Sequence, residues 1–120
     1  NNVLDMRDIM VRSGHENIKM WATEFGWATW DGLPTQIPDG QDWMAYNSPY
    51  LQSDYTMRAF QIGQSLEYMG PMFLWNLNFA NDTLIENRSE IAAYSLLLPP
   101  LNSGRPIQER PLYWALVNRP

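Results

Sequence analysis

Val3, Met6 and Met10 recur at helical spacing near the start of the chain, with Leu4 and Ile9 beside them, and Gly14 follows Ser13 as a left-handed stop. The pattern predicts a helix over 2–13. After the polar turn His15-Glu16-Asn17 comes a short apolar run, 18–25, rich in Ile, Trp, Thr and Phe, which predicts a buried strand. Strict alternation along it would set Ile18, Met20, Ala22 and Glu24 on one side and Lys19, Trp21 and Thr23 on the other. Residues 26–52 hold no steady period. They mix Gly26, Gly32, Pro34, Pro38, Gly40 and Pro49 with Trp27, Trp30, Trp43, Tyr46 and Tyr50, and a connection this long in a compact domain tends to be functional.

Beyond that loop, Ser53 reads as an N-cap for a helix over 54–69, with Asp54 in its first turn and Tyr55, Ala59, Ile62, Leu66 and Met69 as the buried stripe. Gly70-Pro71 should end it and launch a second apolar strand, "MFLWNLNF", 72–79. A loop over 80–90 precedes "IAAYSLLL", read as extended, and then turns at Pro99, Pro100, Gly104 and Pro106. Pro111 suits the first turn of a last helix, "LYWALVN". Strands alternating with helices imply α/β architecture with parallel βαβ units and helices on the sheet.

Composition narrows the function. A chain of 120 residues with 45% hydrophobic and 18% charged residues is one packed domain at most. Its net charge of −5 opposes nucleic acid or an anionic membrane as partner, since both demand a basic face. The absence of cysteine removes disulfides and thiolate metal sites and leaves the compartment, extracellular or cytoplasmic, unread; a lone His15 makes a histidine metal site improbable. No apolar run approaches the roughly 20 residues that span a bilayer. Opening at Asn1-Asn2 without an initiator Met, the chain reads as one cut or processed from something longer.

In parallel α/β architectures the ligand site lies at the carboxyl ends of the strands. Glu24 and Trp75 fall at that level on successive strands. A carboxylate can attack an anomeric carbon while an indole packs on the C–H face of the sugar, so the pair fits carbohydrate chemistry. Trp27 should line the same cleft, and the long loop would bring Trp30, Trp43 and Tyr46 to its rim. Asp31, Asp39 and Asp42 are the local candidates for a second carboxylate, although each stands where a turn former is expected.

The stretches "IKMWATEFGW" and, one helix later, "GPMFLWNLNF" resemble strands 7 and 8 of the clan A glycoside hydrolases, the retaining (β/α)8 barrels that include cellulase-like and xylosidase-like families. The closing "AAYSLLLPP" and "RPLYWAL" are similar to the segment before and within their last barrel helix. The resemblance implies that 1–120 is the C-terminal part of one TIM-barrel catalytic domain, about the last two βα units and a preceding helix. It implies Glu24 as nucleophile, Trp75 as aromatic platform beneath the sugar, and no metal or organic cofactor. The family's general acid/base, a Glu after Asn on strand 4, has no counterpart here, so the chain alone is expected to be inactive. Its expected partners are a carbohydrate substrate and either the remaining barrel strands or another copy, because Met20, Phe73 and Leu77 would otherwise lie unburied. A non-catalytic carbohydrate-binding or interaction module is the alternative.

Overall fold

The computed structural model describes residues 2–101 and 106–119; Gly104 of the turn-rich stretch lies outside the described residues. Helix α1 spans Asn2–Arg12, and Gly14 takes the left-handed conformation expected of it (φ 75°). Strand β1 follows at Met20–Phe25, then a long loop containing a short 3-10 helix at Asp42–Tyr46, then helix α2 at Pro49–Ser65 and strand β2 at Met69–Leu74. Two short helices, α3 (Asp82–Glu86) and α4 (Glu90–Ala93), precede a two-residue antiparallel pair, β3 (Leu97–Leu98) with β4 (Gln108–Glu109). Helix α5, Pro111–Val117, closes the order with proline in its first turn, as predicted. Strands β1 and β2 pair in parallel across α2, so the chain is a mixed α/β structure with a small parallel sheet and, among the described residues, no closed barrel. No helix among them is long and apolar enough to cross a membrane.

Several element bounds differ from the pattern's expectation, each for a local reason. Helix α2 begins five residues earlier than 54: the Ser48 hydroxyl, not Ser53, accepts from the Leu51 N–H (3.2 Å), and Pro49 occupies the first turn. Ser53 is buried inside the helix. The buried face of α2 is Gln52, Ser53, Thr56 and Gly63, while Tyr55 and Ile62 of the expected stripe are exposed. Close approach explains the choice: a Cβ on Gly63 would collide with the Met72 sulfur, so the small residues face the sheet. Phe60 joins them, meeting Phe25 edge-on at 5.0 Å. Helix α5 packs on α2 as well, and the Arg119 guanidinium lies over the Phe60 ring at 4.8 Å.

Strand β2 starts at Met69 rather than after Pro71, and Gly70-Pro71 sits inside it. The register explains how a strand holds them. Met20 pairs with Met69 but Ala22 pairs with Met72, so β2 carries one extra residue there, where a missing N–H is tolerated. The Trp21 indole lies on Gly70, 2.9 Å from where a Cβ would be. The strand also ends at Leu74 instead of 79, because the Asn76 side chain accepts from the Phe79 N–H (3.1 Å) and turns the chain. The segment "IAAYSLLL" is extended only at Leu97–Leu98; its first part is α4.

A second irregularity reorients Glu24. Ala22 pairs with Met72 and Phe25 with Leu74, so three steps on β1 oppose two on β2. Phe25 meets Phe60 of α2, and Met72 lies against Gly63 of α2. Ala22 and Phe25 therefore share the helix-covered side, and the extra residue leaves Thr23 and Glu24 consecutively exposed on the other. Glu24 thus sides with Trp21 and Phe73, whose rings are 6.3 Å apart, rather than with Met20 and Ala22 as strict alternation would have it.

The core sits above the strand ends. Ala28, Trp30, Leu33, Met44, Ile85, Ala92 and Leu98 form its cluster, all from loops and short elements. The sheet side away from α2 is bare, with Trp21 61% and Phe73 51% exposed, and α1 has no buried residue. The shape follows: the molecule measures 54 × 36 × 22 Å, with a radius of gyration of 16.6 Å. A compact domain of this length would have about 14 Å.

Candidate functional site

Parallel pairing puts the carboxyl ends of β1 and β2 side by side, and the ladder continues one step past them through the Trp75 N–H, which donates to the Phe25 carbonyl (2.8 Å). Glu24 and Trp75 consequently line one cleft of about 330 Å³. Gly26 permits this closeness, since a Cβ there would strike the Trp75 carbonyl oxygen and lie 3.3 Å from the Tyr94 ring. The Trp75–Asn76 peptide is cis.

The rest of the lining comes from α4 and its C-cap: Glu90, Ile91 and Tyr94. Asn76, the residue after Trp75, holds that part in place. Its Nδ2 donates to the Ile91 carbonyl (3.1 Å) and its Oδ1 accepts from the Ser95 hydroxyl (2.7 Å), which in turn accepts from the Ala80 N–H (2.8 Å). Asn76 and Ser95 are both buried, so satisfied polar groups fix the geometry between the strand end and α4. Burial, and after it the Glu90 carboxylate, push the Tyr94 phenol above its ordinary value, so it remains a neutral donor at physiological pH.

Glu24 and Glu90 form no ion pair with a described residue, and no described Lys, Arg or His lines the cleft. A strand-end carboxylate kept merely as a salt-bridge partner would have shown one. The arrangement is two carboxylates with no ion-pair partner among the described residues, an indole, a phenol and a glycine, which together offer hydrogen-bond acceptors, a donor and a flat apolar ring.

The other expected site residues lie elsewhere. Trp27 is half-buried outside this lining; its ring sits by Phe25 and Tyr55 (6.3 and 6.0 Å), and its carbonyl accepts from Gln52 Nε2 (2.8 Å). Trp30 is 5% exposed and part of the core cluster, its indole donating to the Thr35 carbonyl (2.7 Å). Trp43 is exposed and donates to the Gln41 side chain. Tyr46, 84% exposed, borders a separate cleft of about 390 Å³ with Trp30, Asp31 and Asn47. The second carboxylate beside Glu24 is Glu90 rather than Asp31, Asp39 or Asp42, none of which lines this cleft. Asp39 pairs with Arg88 (2.7 Å), Asp31 lies beside Arg110, and Asp42 opens the 3-10 helix.

The reason is that the long loop folds back onto α3 and α4. Arg88 donates to the carbonyls of Gln36 (3.1 Å) and Ile37. Buried Arg110 donates to the carbonyls of Thr29 (2.9 Å), Asp31 (3.1 Å), Ala93 (2.7 Å) and Ser95 (3.1 Å). Burial lowers the Arg110 guanidinium to about 10, opposed by Asp31, which keeps it cationic at neutral pH. Glu90 and Tyr94 are not among the residues the sequence points to, because the pattern makes 80–90 a loop and "IAAYSLLL" extended, whereas Glu90–Ala93 is helical. The signal was Ser89 ahead of Glu90, a helix start that sets Glu90 and Tyr94 four residues apart on one side.

No known protein family, curated protein or solved structure matches the chain.

Proposed function

We propose that the protein is part of a retaining glycoside hydrolase of the clan A type, with β1 and β2 as the last two strands of a (β/α)8 barrel. The observation that carries this reading is the meeting of Glu24 and Trp75 in one cleft at the carboxyl ends of two parallel strands. The bulge supports it further. It turns Glu24 to the side away from α2, which would be the barrel interior, and the exposed Trp21 and Phe73 on that side would pack against the other strands.

In this reading the sugar packs on Trp75 and a Glu24 carboxylate oxygen attacks the anomeric carbon. The bond to the leaving oxygen breaks while a general acid, a second Glu supplied from a strand outside the 120 residues, protonates that oxygen. Water activated by the same residue then cleaves the glycosyl ester and returns Glu24 to its carboxylate. The 120 residues alone hold only the nucleophile of this pair and turn over no glycoside.

Trapping the intermediate tests the assignment. The full-length polypeptide is incubated with an activated 2-fluoro-glycoside and its peptides are read by mass spectrometry. The label is expected on Glu24, and Glu24→Gln is expected to lower turnover about a thousandfold or more while sparing sugar binding. A label on another carboxylate, or near wild-type turnover in the variant, would sink the reading.

A further inference from the structure

The cleft that holds Glu24 has a second carboxylate the proposed chemistry does not use. Glu90 lines the same cleft from α4, exposed and without an ion pair to a described residue. Helix α4 has four residues, too short for its first-turn acid to be explained by a helix dipole. Nor is Glu90 loosely placed, because the buried Asn76–Ser95 network fixes α4 to the end of β2. A ligand packed on Trp75 would share the cleft with Glu24, Glu90 and Tyr94.

We propose that Glu90 is a specificity-determining residue of this cleft, accepting hydrogen bonds from a pair of hydroxyls on a neutral sugar and rejecting uronic acids and other anionic sugars. This rests on the glycosidase reading of Glu24. The chemistry is that of an acceptor-only group: an ionised carboxylate has two oxygens at a spacing that takes two neighbouring O–H donors, and such charge-assisted bonds are the stronger kind. Tyr94, neutral beside it, adds a donor for a third hydroxyl or the ring oxygen. The same two carboxylates repel a sugar carboxylate or sulfate, and no described Lys, Arg or His stands in the lining to pair with it.

Steady-state kinetics of the full-length polypeptide on aryl glycosides of neutral sugars and on the matching uronides test this. The wild type is expected to favour the neutral substrate in kcat/KM by about a hundredfold or more. Glu90→Gln is expected to raise KM for the neutral sugar about 10- to 100-fold with a much smaller change in kcat, and to narrow the preference. Glu90→Lys is expected to gain turnover of the uronide, a gain that misfolding does not produce. A wild type that prefers the uronide, or a Glu90→Gln variant with KM and preference unchanged within about twofold, overturns the proposal. When Glu24 is labelled by the 2-fluoro-glycoside and Glu90→Gln changes nothing, this proposal alone fails. When Glu24 takes no label and neither substrate is turned over, the glycosidase reading fails and this one with it.

Discussion

Two layers of this molecule reverse the usual arrangement of an α/β structure. The loop layer above the strand ends buries Ala28, Trp30, Met44, Ile85 and Leu98, and it is tied together by hydrogen bonds from Arg110, Asn76, Ser95 and Asn47, whose Nδ2 donates to the Ala28 carbonyl (2.6 Å). The sheet layer, by contrast, is covered on one side only, by α2, and leaves Trp21 and Phe73 in solvent on the other, with α1 equally bare. In most α/β domains the sheet is the core and the loops are the surface. Here the loops form a packed layer, and one face of the sheet stays open to solvent. The candidate site lies at the boundary, with its positions set by the packed layer and its open side by the other.

The largest effect that would break this contrast is in the core. Trp30→Ala is expected to destabilise the folded chain by about 3–5 kcal/mol, whereas Phe73→Ala, the removal of a large ring from the bare sheet face, should cost under about 1 kcal/mol. Urea melts of the two variants decide it; equal losses would mean that the sheet face is buried in solution. Arg110→Met is next. It removes donors from four carbonyls in a buried setting and is expected to cost about 3 kcal/mol, with amide exchange accelerating in the loop layer before α1 or β1. Smallest is the cap of α2. Ser48→Ala is expected to lose about 1 kcal/mol in the same melts, and a stability unchanged by it would count against Ser48 as the start of the helix.

Much of the framework was legible along the chain. Helix α1 with its Gly14 stop, strand β1 within two residues at its start, a parallel βαβ order and the proline-led α5 all follow from period and punctuation. Glu24 falls near the end of β1 as the pattern expects, while Trp75, inside the expected strand 72–79, follows the end of β2 because that strand stops at Leu74; parallel pairing then brings the two into one cleft. Trp30, Trp43 and Tyr46 carried no signal that separates a loop anchor from a cleft wall. Only the fold-back of the loop, held by carbonyl acceptors that every sequence possesses, decides between those roles. The buried face of α2 was misread for a similar reason: hydropathy favoured Tyr55 and Ile62, while the demand for close backbone approach selected Gly63 and Thr56.

By itself, then, the sequence determined the main helices and strands through residue 74, their parallel βαβ order and the closing helix, since these depend on backbone propensity and on periods of two and 3.6 residues. The tertiary structure decided which way Glu24 faces and what shares its cleft. A one-residue mismatch between paired strands reverses a side chain's side without altering composition, and Glu90 reaches the cleft through a hydrogen-bonded network linking residues 76 and 95. Register and long-range polar closure are properties of pairs of segments, and neither is written in either segment alone.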